Sequence, residues 1–176
     1  MTSSICMIKN IDADQITFDP VRKNALGGNV VYLKHKDAPR LQIQTPAVAA
    51  PFGMSTFTDE KTGAVKYSLD ISFRGMESEP KIQEFHDKMH SIDEMLIKEG
   101  VAHSKEWFGK KMSKEVIQEF YRPLVKPSKD PEKYAPTMKF KIPQGRDDSV
   151  MVDAYNHEKQ KVDIMEALVP GMKIQG

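Results

Sequence analysis

The chain has 176 residues, of which 39% are hydrophobic and 29% are charged, and its formal net charge is +1. These values are typical of a globular protein with one core, and they exclude a membrane-spanning chain. The single cysteine, Cys6, excludes an internal disulfide and fits a reducing intracellular compartment.

The first part of the chain is predicted to form short strands separated by turns. Ile5 to Ile8 reads as a strand, and a second strand is predicted at Val30 to His35. A turn at Lys36 to Pro39 is expected to join this second strand to the next one as a hairpin. Asp12 and Asp14 have no third ligand at a calcium-loop offset, so we interpret them as solvated turn carboxylates rather than as a metal site.

Two stretches alternate apolar and polar residues, Arg40 to Thr45 and Lys66 to Arg74, and both are predicted as half-buried strands. The apolar set expected to line the core is Leu41, Ile43, Tyr67, Leu69, Ile71 and Phe73. The polar set expected to lie together on the outer face is Arg40, Gln42, Gln44, Lys66 and Arg74. The intervening Pro46 to Lys61 is predicted as a loop, which Phe52 and Phe57 make too apolar for a purely solvated connector.

After Gly75 the period of the apolar residues changes to about three and a half, which predicts a long helix. Ser78 is the expected N-cap and Gly100 the expected end. The stripe expected to pack on the sheet is Ile82, Phe85, Met89, Ile92 and Leu96. His86 and His90 lie one turn apart, a spacing compatible with a metal site, but they flank the core stripe and we favour a structural role.

A second helical region is predicted to begin at Ser104 and to resume at Ser113, since both serines are good N-caps. Trp107 lies close to Lys110 and Lys111 in this region. Such a group can form a base-stacking platform with adjacent cations, although a tryptophan near a helix start also serves as a core anchor. The sequence leaves both interpretations open.

The last part of the chain returns to strands. Thr137 to Ile142 alternates strictly and directs Lys139 and Lys141 outward, and Val150 to Tyr155 is predicted as a further strand. Alternation begins once more at Met172 to Gln175, where the sequence stops. We therefore expect the chain to be a fragment of a longer protein, or a partner to cover its last sheet edge.

Positive charge is concentrated in one segment, because Lys105 to Lys141 holds ten Lys or Arg against five Asp or Glu. Such a segment can face a polyanion, although a solvated surface is the alternative. The sequence contains no Walker loop, nucleophile elbow, zincin helix or cysteine-rich metal spacing. We therefore expect a binding protein without a cofactor rather than an enzyme.

The order of elements, with a helical insertion at about 79–122 between the third and fourth main strands, is that of an OB-fold barrel. We predict an α+β, mainly β, OB-fold-like barrel as a single domain over residues 1–176. Several segments resemble a protein of large nucleocytoplasmic DNA viruses, notably algal ones, which in turn resembles the single-stranded DNA-binding proteins of T-seven-type phages. These segments are Arg40 to Pro46, Ala50 to Gly53, Lys66 to Phe73, Ser104 to Lys111 and Pro136 to Pro143.

The resemblance implies sequence-nonspecific binding of single-stranded DNA in viral DNA replication, recombination or repair. It also implies replication proteins as further partners, a homodimer, and a location in the host cytoplasm or nucleus at sites of viral replication. Residues expected to contact the DNA backbone are Lys34, Arg40, Gln42, Lys66, Arg74, Lys110, Lys111, Lys139 and Lys141. Residues expected to stack on bases are Tyr32, Phe52, Phe57 and Trp107.

Two other classes stay open. A virion or scaffold protein would use the loop with Phe52 and Phe57 as a protein interface. An enzyme would need a cleft between the helical insertion and the barrel, lined by convergent polar groups.

Overall fold

The structure, a computed structural model, describes residues 5–36, 38 and 40–176. The strands are β1 (Cys6–Met7), β2 (Ile16–Phe18), β3 (Arg22–Lys23), β4 (Asn29–Val30), β5 (Leu33–His35), β6 (Ile43–Gln44), β7 (Val48–Ala50), β8 (Met54–Thr58), β9 (Val65–Ser72), β10 (Thr137–Lys141), β11 (Ala154–Tyr155), β12 (Lys161–Val162) and β13 (Met172–Ile174). The helices are α1 (Pro80–Ala102), α2 (Ser104–Phe108), α3 (Lys114–Phe120) and α4 (Ile164–Ala167). The prediction of an α+β, mainly β, class is confirmed.

Within the described residues, the strands form one five-stranded sheet and four two-stranded ladders, with no closed barrel. The chain divides into two compact units. Unit 1 consists of the described residues up to Pro46, of Met76–Val125 and of Gly176, whereas unit 2 consists of Ala47–Gly75 and Lys126–Gln175. The chain thus leaves unit 2 after β9 and returns to it before β10.

The strands of unit 1 pair in short ladders. β1 pairs in parallel with β6, β2 pairs antiparallel with β5, and β3 pairs antiparallel with β4. The predicted hairpin between Val30 to His35 and Arg40 to Thr45 is formed only next to its turn, by an antiparallel bridge between His35 and Ala38 and a hydrogen bond from the N–H of Leu41 to the carbonyl oxygen of Leu33. The two stretches do form strands, but each finds its ladder partner in the N-terminal segment, which the alternation of residues does not specify.

Helix α1 is the central element of unit 1. Four residues of the predicted stripe are buried and Leu96 is half-buried, as the helical period predicts. The helix packs against α2, α3 and two 3₁₀ turns, Ile8–Asn10 and Ala13–Gln15. It begins after Glu79 rather than Ser78, and it continues through Gly100, which lies buried against the side chain of Ile117 on α3.

Of the two N-caps predicted for the second helical region, Ser113 is confirmed, whereas Ser104 is wrong because it is the first residue of α2 and His103 is the N-cap. Ser113 is the N-cap of α3, where its side chain accepts a hydrogen bond from the N–H of Val116. Gly109 ends α2 in the left-handed conformation, with φ of 79°.

The carboxylate of Asp93 ties the segment after α3 to the middle of α1. Its Oδ1 accepts hydrogen bonds from the Tyr121 hydroxyl at 2.6 Å and from the N–H of Leu124 at 2.8 Å, and its Oδ2 accepts one from the N–H of Val125 at 3.1 Å. Asp93 is only 3% exposed. Burial and the neighbouring carboxylate raise the pKa of the Tyr121 hydroxyl, which therefore stays protonated as the donor.

The sheet of unit 2 is antiparallel and has the order β10-β9-β7-β13, with β8 also beside β9. Ala49 pairs with Ser72, and Met54 pairs with Leu69. The distance between these two pairs is five residues along β7 and β8 but only three residues along β9. β7 and β8 are thus two halves of one strand interrupted by a bulge of two extra residues. The predicted loop from Pro46 to Lys61 is wrong, and the predicted pairing of Arg40 to Thr45 with Lys66 to Arg74 is wrong with it.

The bulge between β7 and β8 explains the position of Gly53. Its φ is +64°, and a Cβ there would lie 3.0 Å from the carbonyl oxygen of Leu168 and 3.1 Å from the nitrogen of Pro170. The chain beyond α4 therefore packs directly on the bulge. Glycine allows both the backbone conformation and this close approach.

The remaining elements of unit 2 are short. β11 pairs antiparallel with β12, so the predicted strand at Val150 to Tyr155 is confirmed only at its end. β13 pairs antiparallel with β7 and lies within the stretch Met172 to Gln175, where the sequence begins to alternate. None of the helices in the described part of the chain has the length and apolar character needed to cross a membrane.

Candidate functional site

The polar face of the five-stranded sheet brings three lysines and one aromatic side chain together. In an antiparallel ladder, residues directly opposite each other project to the same face, and so do residues two apart along a strand. The register therefore places Lys66, Ser68, Asp70 and Ser72 of β9 on one face with their neighbours from β8 and β10. Those neighbours are Ser55, Phe57, Thr137, Lys139 and Lys141.

The other face of the sheet fixes this orientation because it is apolar. Leu69, Ile71 and Phe73 are buried there, and Met138 of β10 lies opposite Ile71. The predicted core set of this strand is thus confirmed for three of its four members, while Tyr67 is half-buried. Since a slip of one residue would turn those side chains to solvent, the burial of this face holds Lys66 and its neighbours on the outside.

Phe57 and Lys66 form the first row of the polar face, next to the β8–β9 hairpin. They are directly opposite each other, and Phe57 is 62% exposed. An exposed phenylalanine on a strand face, with a lysine beside it, presents an aromatic surface and a cation within reach of the same ligand. The hairpin turn is held by the Asp59 carboxylate, which accepts hydrogen bonds from the N–H groups of Lys61 and Thr62.

The second row consists of Ser55, Ser68 and Lys141, one from each of the three adjacent strands. Lys141 is exposed, and neither Lys66 nor Lys141 forms an ion pair with any carboxylate among the described residues. Two hydroxyls therefore lie on the same face as two cations that are available to an anionic ligand. Hydroxyl groups in this position can donate hydrogen bonds to phosphate oxygens.

The third row differs because it contains an internal ion pair. Asp70 and Lys139 are directly opposite, and Lys139 Nζ lies 3.3 Å from Asp70 Oδ2. Beyond this row Ser72 is buried, and its hydroxyl accepts a hydrogen bond from the N–H of Arg74, whose side chain is exposed past the end of β9. The exposed part of the face thus ends at the Asp70–Lys139 pair.

Phe52 lies in the bulge rather than on the ladder. It is 63% exposed, close to the value for Phe57, but it has no partner in the β8–β9 register. The two phenylalanines that the sequence singled out are therefore equally exposed in different surroundings.

Seven predicted contact residues belong to unit 1, and four of them lie in its N-terminal part. The Arg40 guanidinium lies 5.4 Å from the centroid of the Tyr32 ring, so this cation and this aromatic contact each other. Lys34 forms an ion pair with Asp19. Gln42 is exposed, and its carbonyl oxygen accepts a hydrogen bond from the N–H of Cys6.

Trp107 also belongs to unit 1, where it packs among other rings. Its ring centroid lies 5.1 Å from that of Phe18 and 5.2 Å from that of His103, and it is half-buried. Lys110 and Lys111 are exposed in the segment between α2 and α3. The surroundings of Trp107 are those of a core anchor, with limited ring surface for a base.

The histidines are engaged with protein groups. His86 Nδ1 lies 3.0 Å from Asp87 Oδ1, and the rings of His86 and His90 are stacked. His35 is buried, its Nε2 accepts from the N–H of Asp12 at 3.4 Å, and its Nδ1 lies 3.6 Å from Cys6 Sγ. Burial, with help from the charge of Lys36, lowers the pKa of His35 although Asp12 opposes the effect.

Across residues 5–36, 38 and 40–176, no three His, Cys, Asp or Glu side chains are grouped in a way that could hold a metal ion. The polar groups of the sheet face are lysines, serines and one carboxylate. That composition suits a polyanionic ligand rather than a cation.

Sequence reasoning missed Ser55, Ser68 and Asp70 as members of the face. Ser68 and Asp70 alternate with the apolar residues of β9, so they were recoverable once Lys66 had been placed outside. Ser55 was missed because β8 had been interpreted as a loop.

Comparison with protein families identifies the family of this chain. The family described as "Family of unknown function (DUF5871)" matches residues 77–174, which is more than half of the chain. No curated protein and no solved structure matches. These comparisons establish a family without linking it to a nucleic-acid-binding protein.

Proposed function

Because the chain belongs to this DUF5871 family, whose function is unknown, we propose from its own geometry that it binds single-stranded DNA without sequence preference. The observation that carries the proposal is the exposed pair of Phe57 and Lys66 beside Lys141 on one face of the sheet. Proteins of this class combine cations that follow the phosphates with aromatic rings on which bases stack. The sheet face offers both.

Sequence independence follows from the chemistry of these groups. A phenylalanine ring stacks on any base because every base has a π-face, and a lysine contacts phosphate oxygens that all nucleotides share. The face holds few groups that can read base edges. Duplex DNA buries its bases in the stack, so the contribution of Phe57 is specific to single strands.

The resemblance of the sequence to a viral family supports the same proposal and gives it a context. We propose a role in viral DNA replication, recombination or repair, at sites of viral replication in the host cell, with replication proteins and a second copy of the chain as partners. We also propose that the sheet of unit 2 serves as the binding face that an OB-fold presents to single strands. No catalytic activity belongs to this proposal.

Fluorescence anisotropy with labelled single-stranded and duplex oligonucleotides, at 50 and 300 mM salt, tests the proposal directly. We expect tighter binding of the single strand and a loss of affinity with salt. If the two unpaired lysines of the face, Lys66 and Lys141, each contact a phosphate, the slope of log K against log salt is about −1.4, from about 0.7 per contact. A preference for duplex, or a flat salt response, would overturn the proposal.

Matched variants locate the binding surface. Phe57→Ala removes the stacking ring and is expected to weaken binding by about 5- to 150-fold, the range that corresponds to about 1–3 kcal/mol per stacked base. Phe52→Ala removes an equally exposed ring from the bulge and is expected to change affinity little. Equal losses in both variants would show that the sheet face is not the site.

The charges are tested in the same way. A double replacement of Lys66 and Lys141 by Ala is expected to reduce the salt slope by about 1.4, since two phosphate contacts are lost. Lys129 and Lys133 are exposed lysines of unit 2 outside the sheet, and their double replacement gives the control with the same change in net charge.

The second candidate function is that of a virion or scaffold protein. It is favoured by exposed large apolar residues that are not members of the sheet face, such as Phe120 of α3, which is 73% exposed, and Phe52. Analytical ultracentrifugation without DNA distinguishes the two. Ordered assembly that Phe52→Ala or Phe120→Ala abolishes, in a protein that ignores oligonucleotides, would favour the scaffold.

A further inference from the structure

Asp70 is the one acidic side chain that the strand register places on the exposed cationic face. Its side chain is 17% exposed, whereas that of its partner Lys139 is 56% exposed. Asp70 is thus held in place by the sheet, while the lysine extends over it towards solvent. The pair occupies the row at which the exposed part of the face ends.

We infer that Asp70 sets the affinity of the sheet face by competing with the phosphates of the ligand for Lys139. This inference rests on the proposed function. In the free protein Lys139 is neutralised by Asp70, so a strand that reaches the third row must displace a carboxylate before it gains a cation. The nucleic acid therefore engages Lys66 and Lys141 fully and Lys139 weakly.

The size of the effect follows from the exposure of the pair. An exposed ion pair contributes at most about 1 kcal/mol, which corresponds to about fivefold in affinity. Release of Lys139 also adds one phosphate contact, which steepens the salt slope by about 0.7. This slope change separates a new phosphate contact from a general adjustment of the fold.

The test is the Asp70→Asn variant of the whole chain, titrated with a fluorescent oligothymidine at several salt concentrations. We expect about fivefold tighter binding at 50 mM salt, and the advantage should shrink by about 3.5-fold at 300 mM because of the steeper slope. Asp153→Asn is the matched control. It removes a carboxylate that pairs with Lys161 at 2.6 Å, outside the five-stranded sheet, and should leave affinity and slope nearly unchanged.

Lys139→Gln keeps the test decisive if Asp70→Asn folds poorly. Because Lys139 makes no full phosphate contact while it pairs with Asp70, its removal should leave the salt slope near that of the wild type, whereas Lys141→Gln should lower the slope by about 0.7. Equal changes of slope in the two lysine variants would overturn the inference. Equal gains from Asp70→Asn and Asp153→Asn would overturn it too, since net charge alone would then explain them.

The inference and the proposed function fail in different ways. If the wild-type chain ignores single strands, the proposed function falls and the inference falls with it. If the wild type binds and a folded Asp70→Asn variant binds with the same affinity and slope, only the inference is overturned.

Discussion

Replacement of Asp93 by Ala should strongly destabilise unit 1. The buried carboxylate accepts three hydrogen bonds, from the Tyr121 hydroxyl and from the N–H groups of Leu124 and Val125. Removing it leaves three donors without their acceptor in a site that is only 3% exposed. Each unsatisfied buried donor costs about 1–3 kcal/mol, and removal of one partner from a buried charged network costs about 3–5 kcal/mol.

We expect the free energy of unfolding to fall by about 3–5 kcal/mol. For a chain of this length that corresponds to a decrease in melting temperature of roughly 6–20 °C. Urea unfolding followed by tryptophan fluorescence is the suitable assay, because Trp107 is the only tryptophan in the sequence and lies in unit 1. The signal therefore reports the unit that contains the mutation.

Two variants calibrate the measurement. Tyr121→Phe deletes one of the three donors and should cost about 1.5–3 kcal/mol, as for a hydrogen bond to a charged group. Glu94→Ala changes the neighbouring carboxylate, which is exposed on α1, and should stay within about 0.5 kcal/mol. A loss below about 1 kcal/mol for Asp93→Ala, or one equal to that of Glu94→Ala, would refute the reasoning.

Three further predictions concern stability. Ile71→Ala should lower the free energy of unfolding by about 2–5 kcal/mol because Ile71 is fully buried, whereas Lys139→Ala should leave the melting temperature near that of the wild type. Equal losses of stability in the two variants would mean that the strand faces are reversed. Gly63→Ala should cost about 1 kcal/mol of stability because of its positive φ alone. Gly53→Ala should cost more in the same thermal melt, because the added Cβ also meets backbone atoms at 3.0–3.1 Å. The reverse order of the two losses would contradict the bulge geometry. His35 has a lowered pKa in the folded state, so the unfolded chain takes up the proton first, and the stability of unit 1 should fall as the pH drops below 6.5, by at most about 1.4 kcal/mol per pH unit. Urea titrations at pH 7.5 and 5.5 check this, and a His35→Gln variant with an unchanged pH dependence would exclude His35 as the cause.

The sequence predicted those elements whose periodicity is complete within one segment. The stripe of α1 and the alternation of β9 and β10 were recognisable because each places its apolar residues on one side of a single helix or strand. The N-cap of α3 was predicted for the same reason, since Ser113 and its hydrogen-bond donor lie three residues apart.

Strand partners were not predictable in this way. Ile43 and Gln44 pair with Cys6 and Met7 across most of the N-terminal segment, whereas a local hairpin had been expected. Alternation shows that a stretch can be a strand, but the partner depends on long-range packing. The bulge at Gly53 was missed because Pro and Gly usually end strands. Here they interrupt only the pairing with β9, and the strand that begins as β7 continues as β8.

Most residues of the candidate site could be selected from the sequence, but their positions relative to one another could not be predicted. Phe57 and Lys66 were both selected from the sequence, but their direct opposition depends on the register of the β8–β9 hairpin. The pairing of Asp70 with Lys139 depends on two strands that the whole helical region separates in sequence. Charge counts cannot show that one lysine of the face is already neutralised.

The return of the chain to its first sheet has a consequence for the order of folding. β8 and β9 are joined by a short turn, and such hairpins form in about 1–10 μs. The whole of Met76–Val125 separates β10 from β9 in the sequence, and an even longer stretch separates β13 from β7. Both pairings therefore require the entropic cost of closing a long loop. We therefore expect the hairpin that carries Phe57 and Lys66 to gain protection from hydrogen exchange before β10 and β13 during refolding. During synthesis β9 lacks β10 and β7 lacks β13 until the C-terminal segment emerges, which makes that interval the one in which the nascent chain is most prone to aggregation.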